Sequence, residues 1–237
     1  MTITDPPTAT STAVETIVTV GLEAGMTLLS DRAAGHRMIM ELWGRLPGDE
    51  SAGARSQASI LWAPLTVDVD SGNVRVLVRS TIRPERTPSW VKSLDVDDAA
   101  AAPTAGQEVT VRASMVCVKT PMSDDVPAEL RTALKAGADG SRRAPGEGRC
   151  YRRNPVPVPE ADREAWAMAR LERLGLSVTS CSMEASSEVR APKGRSPWPV
   201  ITVKATVTVR ETETFANAWL TGTGKGKAYG FGMLIVK

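Results

Sequence analysis

The chain has 237 residues, 42% hydrophobic and 24% charged, enough to bury a core and about the length of one large or two small domains. Its 29 Lys and Arg against 27 Asp and Glu leave a net charge of only +2, so any polyanionic partner must be met by a local basic patch. Three scattered cysteines, one histidine (His36) and no apolar run near the roughly 18 residues of a membrane span argue against a disulfide scaffold, a multi-histidine metal centre and membrane insertion.

Residues 1–13, rich in Pro, Thr, Ala and Ser, carry no periodicity and none of the pattern of a signal peptide. They predict a disordered leader on a reduced, cytoplasmic protein. Val14 to Leu22 is β-branched and partly alternating, a strand. Ser30 and Asp31 open a helix whose apolar positions are Met38, Ile39, Leu42 and Trp43, and Gly44 and Pro47 close it. Ile60–Val69 and Val74–Ser80, joined by Asp70-Ser71-Gly72-Asn73, form a hairpin. The acidic, then small-residue stretch from Asp95 predicts an interdomain linker over 95–105, following a first domain over 14–94.

The second domain, 106–237, starts with a strand over Glu108–Thr120 and a long Pro-, Gly- and charge-rich loop to Gly148 with one short helix at Glu129–Lys135. A helix over Pro159–Leu174 is well punctuated, with Glu160 and Asp162 in its first turn and Arg170 and Arg173 in its last. After a turn-rich segment at Val189–Pro199, Val203, Ala205, Val207 and Val209 alternate with Lys204, Thr206, Thr208 and Arg210, a half-buried strand. A short helix at Thr214–Leu220, a glycine-rich loop and a strand over Phe231–Val236 complete the chain. The pattern fits an α+β protein of two tandem βαββ-like units, each an antiparallel sheet backed by helices, better than a parallel dinucleotide-binding sheet.

Gly222 to Gly232 (GTGKGKAYGFG) is the most unusual segment, with five glycines and Lys225 and Lys227 between them. Glycines let backbone N–H groups approach an anion, and lysines add charge. A phosphate-binding P-loop is excluded because Ala228 follows Gly226-Lys227 where Ser or Thr is needed. A dinucleotide fingerprint is excluded because the loop follows a helix and opens a strand. A cradle for a nucleic-acid backbone and a purely structural helix cap with bulged strand entry both remain. Aromatic residues make up only 4% of the chain, so RNA recognition here would lean on charge and shape rather than base stacking.

This motif resembles the C-terminal glycine-rich motif of the CRISPR-associated CasE endoribonucleases, the repeat-processing subunits of type I-E Cascade. Further stretches line up in the same order: Gly35-His36-Arg37, Val76 to Ser80 with Pro84 and Trp90, Gly106 to Val109 leading to Lys119-Thr120, and Arg152 to Pro157 with the helix through Trp166. The resemblance spans about residues 14 to 237. It implies two ferredoxin-like (RRM-like) domains and a metal-independent endoribonuclease that binds the CRISPR repeat hairpin. Such an enzyme cuts at the 3′ base of the stem by 2′-hydroxyl attack and stays on the guide RNA among other Cascade subunits. No metal, small-molecule cofactor or membrane is implied.

Within that resemblance His36 takes the catalytic position, and it is also the one side chain that titrates near neutrality unperturbed. Its spacing to Met40 and Trp43 equally suits a half-buried core histidine. Lys227 would assist, and Lys225 with Gly222, Gly224, Gly226 and Gly230 would line the RNA backbone. Three basic clusters would hold the stem: Arg149, Arg152 and Arg153; Arg163 and Arg170 on one helix face; and Arg190, Lys193 and Arg195, which by resemblance form a basic hairpin. Ordinary solvated charge accounts for any one cluster alone. The sequence departs from some members at Ala33, where they carry a tyrosine, and both tyrosines, Tyr151 and Tyr229, lie elsewhere. That departure leaves room for a non-catalytic RNA-binding or assembly subunit, and an unrelated two-domain protein is the third reading.

Overall fold

The computed structural model describes residues 13–44, 46, 58–119, 155–190 and 197–237. Two four-stranded antiparallel sheets form the framework. The first holds β1 (Val14–Gly21), β2 (Leu61–Asp68), β3 (Asn73–Ser80) and β4 (Val91–Asp98) in the order β2-β3-β1-β4. The second holds β5 (Glu108–Val116), β8 (Leu176–Val189), β9 (Trp198–Val209) and β10 (Leu234–Val236) in the order β10-β5-β9-β8. β6 (Val118–Lys119) and β7 (Val156–Pro157) make a separate two-stranded ribbon. Counted within each half, both large sheets place their strands fourth, first, third, second, which is the ferredoxin-like order and repeats without any visible sequence repeat.

Helices α1 (Leu22–Ser30) and α2 (Arg32–Met40) connect β1 to β2; α3 (Arg163–Glu172) precedes β8 and α4 (Thr212–Thr221) follows β9. Strand alternation dictates the first core. Val18 and Val20 of β1 and Val74, Val76 and Val78 of β3 pack against Leu28, Ile39, Leu42 and Trp43 on the helix side. The opposite face of that sheet presents Leu61, Ala63 and Leu77, which are covered by Met233 and Ile235 of the other half. In the second core the alternation read from β9 holds: Val203, Ala205, Val207 and Val209 are buried with Ala167 and Leu171 of α3 and Phe215 of α4.

A buried arginine ties the halves together. Arg79 of β3 donates to the carbonyls of Trp219 at 2.9 Å and Leu234 at 3.0 Å and pairs with Glu15, while its guanidinium lies 3.9 Å from the Trp219 ring centroid. Every direction from that cation meets an acceptor or a π-face, which is how a charge is tolerated at 2% exposure.

The structure departs from expectation at five places. Asp31 does open the expected helix, α2, but a further helix, α1, precedes it and ends at Ser30; its Gly25, where a Cβ would lie 2.2 Å from Val74, hides it from the sequence pattern. The expected linker from Asp95 begins inside β4, which pairs along β1 through Asp98, so the connection is 99–107. The whole of β8 lacked a pattern because it is an edge strand with mostly exposed Ser and Glu. The last strand is shorter than Phe231–Val236, because Phe231 and Met233 belong to the loop packing that precedes it. Ala13, placed in the leader, is buried against the second core. Residues 1–12, the helix expected at Glu129–Lys135, and Arg149, Arg152, Arg153, Lys193 and Arg195 lie outside the described residues.

Candidate functional site

The site grows from α2. Asp31 caps that helix: its carboxylate accepts from the backbone N–H groups of Ala33 and Ala34, both at 2.9 Å. The Ala34 N–H, more than any other influence, holds the Asp31 carboxyl below the usual aspartate value, with Arg37 and Arg190 adding attraction. Arg190, at the end of β8, is thereby placed near the start of the His36 helix. The capped turn carries Arg32, and one turn later the same face presents His36.

His36 is half-buried and meets Tyr229 edge-on, ring centroids 5.8 Å apart. Tyr229 closes a 3-10 turn, Lys227–Tyr229, in the middle of the glycine-rich loop. A tyrosine thus reaches His36 from the loop of the second half, while position 33 on the helix is alanine. Sequence reasoning set Tyr229 aside because the two residues are far apart in the chain; the conjunction of a lone histidine and a tyrosine inside the most unusual motif was the available signal. Tyr229 also meets Trp198 of β9 at 5.7 Å, and Trp198 meets Phe231 at 6.4 Å. Trp198 pairs with Val189, so this aromatic chain starts at the base of the β8–β9 hairpin whose connection holds Lys193 and Arg195.

The loop glycines are mostly held by packing. At Gly230, φ is 82° and a Cβ would sit 2.9 Å from the Trp62 ring; at Gly232 it would lie 1.9 Å from the Thr223 carbonyl oxygen. Trp62 itself is fixed by donating to the Ala228 carbonyl at 3.0 Å. Gly224, by contrast, is exposed, with only the Arg170 guanidinium 3.7 Å from where its Cβ would be. Beside the 3-10 turn opens a cleft of about 270 Å³ lined by Ser59, Thr221, Gly224, Lys227 and Tyr229 among others. Ser59 adopts a left-handed φ of 47°, uncommon for a non-glycine residue.

The predicted basic residues divide. Arg170 donates to Thr223 Oγ1 at 2.9 Å and so braces the glycine loop; burial foremost lowers its pKa. Arg163 donates to Ser186 at 2.6 Å, pinning α3 to β8. Arg190 is exposed. Lys225 is exposed, and Lys227 is half-buried at the start of the 3-10 turn that approaches α2.

Arg32 was not singled out by sequence. Its guanidinium lies 5.4 Å from the Trp62 ring and 5.0 Å from the Phe231 ring, between the two halves. Its Nε and Nη1 are buried with no hydrogen-bond partner, and burial pulls its pKa down to about 10. Among the described residues no cluster of three or more His, Cys, Asp or Glu is arranged to hold a metal ion, and no helix is long and apolar enough to cross a membrane.

A family model described as CRISPR associated protein matches residues 11–237. No curated protein sequence matches. Among solved structures the chain is similar to Thermus thermophilus Cse3 bound to an RNA representing a pre-cleavage complex, with TM-score 0.68 and 16% identity over 95% of this chain and 99% of that one. It is also similar to the CRISPR-associated protein Cas6e from Escherichia coli str. K-12, with TM-score 0.58 and 15% identity over 94% and 98%. A chain of a CRISPR RNA-guided surveillance complex aligns with TM-score 0.59 and 18% identity over 95% and 99%. At these identities the likeness fixes the fold, two tandem ferredoxin-like domains.

Proposed function

The chain belongs to the CRISPR associated protein family, and from that premise we propose that it is an endoribonuclease that binds the hairpin of a CRISPR repeat RNA and cuts once at the 3′ base of the stem. The observation that carries the reading is the meeting of His36, on a capped helix of one domain, with Tyr229 and the lysine-bearing glycine loop of the other. The described relatives include a Cse3 bound to RNA and a chain of an RNA-guided complex, which supports a repeat RNA and neighbouring Cascade subunits as partners here.

The reaction fits side chains alone. The ribose 2′-oxygen bonds to phosphorus while the P–O5′ bond breaks, giving a 2′,3′-cyclic phosphate and a 5′-hydroxyl. One proton leaves the 2′-hydroxyl and one arrives at O5′; His36 serves one of these transfers as general base or acid. Negative charge grows on the phosphorane oxygens, and Lys225 and Lys227 supply the opposing field. Tyr229, edge-on to the imidazole, fixes its orientation. No metal or small-molecule cofactor is assigned a part. Arg190, with Lys193 and Arg195 in the hairpin connection and Arg149, Arg152 and Arg153 elsewhere, would grip the stem backbone, the way duplex RNA is mainly read. Arg163 and Arg170 would join them from α3 while also bonding Ser186 and Thr223.

The test is cleavage of the cognate repeat hairpin in EDTA by wild type and His36→Ala. The expected result is one cut ending in a cyclic phosphate, slowed about 10²–10⁴-fold in the variant with RNA affinity unchanged. Tight binding without any cut by wild type would instead favour the non-catalytic assembly subunit.

A further inference from the structure

Arg79 and Arg32 are two arginines at the junction of the halves, and only one of them is electrically satisfied. Arg79 has a carboxylate, two carbonyls and a ring. Arg32 has the rings of Trp62 and Phe231 on its faces and nothing on its buried Nε and Nη1. Desolvation is the single cause acting on its pKa; no carboxylate offsets it. A guanidinium left this way is costly, because each buried N–H without an acceptor forfeits the bond it made to water. A buried polar group without a partner calls for an explanation, and a ligand that supplies the acceptor is one.

The ligand's chemistry follows from the donors. A guanidinium edge presents N–H groups in a fork that suits the oxygens of a phosphate, and the two rings hold that fork still. The place follows from the helix. Arg32 and His36 are four residues apart on one face, about 6 Å along the axis. The glycine loop runs alongside: Tyr229 touches His36 and Phe231, two residues on, touches Arg32. Nε and Nη1 are themselves covered; an oxygen reaches this half-buried side chain through Nη2, which shares one edge of the guanidinium with each of them.

We infer that Arg32 binds the RNA phosphate at the cleaved linkage, its unpartnered guanidinium N–H groups meeting that phosphate's non-bridging oxygens beside His36. This rests on the endoribonuclease reading for the identity of the RNA but not on turnover. Phosphate binding completes the cation, so the protein without RNA carries the cost and the complex does not.

The experiment measures binding of a repeat hairpin whose attacking nucleotide is 2′-deoxy and therefore uncuttable, with either a normal phosphate or a neutral methylphosphonate at the junction. Wild type and Arg32→Met are compared, and methylphosphonates one linkage to either side serve as controls. For wild type the neutral junction should weaken binding about tenfold or more, the worth of one charged hydrogen bond. For Arg32→Met the penalty should shrink to less than about twofold, and the melting temperature of the RNA-free variant should hold or rise. An equal penalty in both proteins, or a penalty that moves to a control linkage, overturns the proposal, as does wild type failing to bind the hairpin. Should the methionine variant not fold, Arg32→Gln carries the same comparison, because glutamine removes the charge while keeping a polar amide at that position. The all-ribose hairpin run in parallel separates the two claims: binding with junction-charge sensitivity but no cut refutes the nuclease and leaves Arg32 as the phosphate ligand.

Discussion

Replacing Gly230 with alanine should destabilise the protein in the absence of RNA. Two costs add. The residue sits at φ 82°, a conformation that costs an L-residue roughly 1–2 kcal/mol. The new methyl would also lie 2.9 Å from two atoms of the Trp62 ring, and that ring is 1% exposed and hydrogen-bonded to Ala228, so it has nowhere to go. Overpacking of this kind costs roughly 1–3 kcal/mol. The sum, about 2–5 kcal/mol, corresponds to a fall in melting temperature of roughly 5–15 °C for a chain of this size. Gly72→Ala is the matched control: φ is 62°, but nothing lies within 4 Å of its Cβ. It should lose only the backbone part, about 1–2 kcal/mol. Thermal melts followed by tryptophan fluorescence, with Trp62→Leu added to Gly230→Ala to relieve the clash, measure the difference directly. Equal shifts for the two glycines, or a normal melt with RNA binding weakened tenfold, would refute the packing role and return Gly230 to direct RNA contact.

Arg79→Met should cost about 3–5 kcal/mol, since it leaves Glu15 and the carbonyls of Trp219 and Leu234 without their partner; urea denaturation reads it, and a loss under about 1 kcal/mol would sink the clamp. Asp31→Ala should cost about 1 kcal/mol at neutral pH through loss of the α2 cap. Because the folded Asp31 carboxyl titrates below its ordinary 3.8, its charge-dependent contribution is present above that pH and disappears as pH falls through the lower folded value. The urea midpoints of wild type and Asp31→Asn should therefore converge below pH 3.8 and separate above it.

What was legible in the sequence was whatever alternation or turn chemistry declares locally. β9 declares itself because Val203 to Val209 bury every second side chain, and the β2–β3 hairpin because Asp-Ser-Gly-Asn punctuates two β-branched runs. α1 was not legible: Gly25 argues against a helix locally and is there because Val74 leaves no room for a side chain. β8 was not legible because an edge strand facing water needs no hydrophobic face, only the register of β9 beside it. His36 and the glycine loop stood out by rarity. Their partners Tyr229 and Arg32 did not, because proximity across two domains is a property of docking, to which local pattern is blind. Arg163 and Arg170 stand out by spacing on one helix face, but their hydrogen bonds to Ser186 and Thr223 are long-range contacts that spacing does not reveal.

β10 is three residues long and has no solvent-facing side. Leu234 points into the core of the second sheet, while its neighbours Met233 and Ile235 enter the apolar patch on the first. A slip of one residue against β5 would exchange these memberships and empty both, so the next permitted alignment is two residues away, about 7 Å. The seating of this segment between the two apolar clusters is therefore notched rather than elastic. Since the glycine loop runs straight into this strand, the same notch fixes where the loop, with Tyr229 on it, is presented to His36.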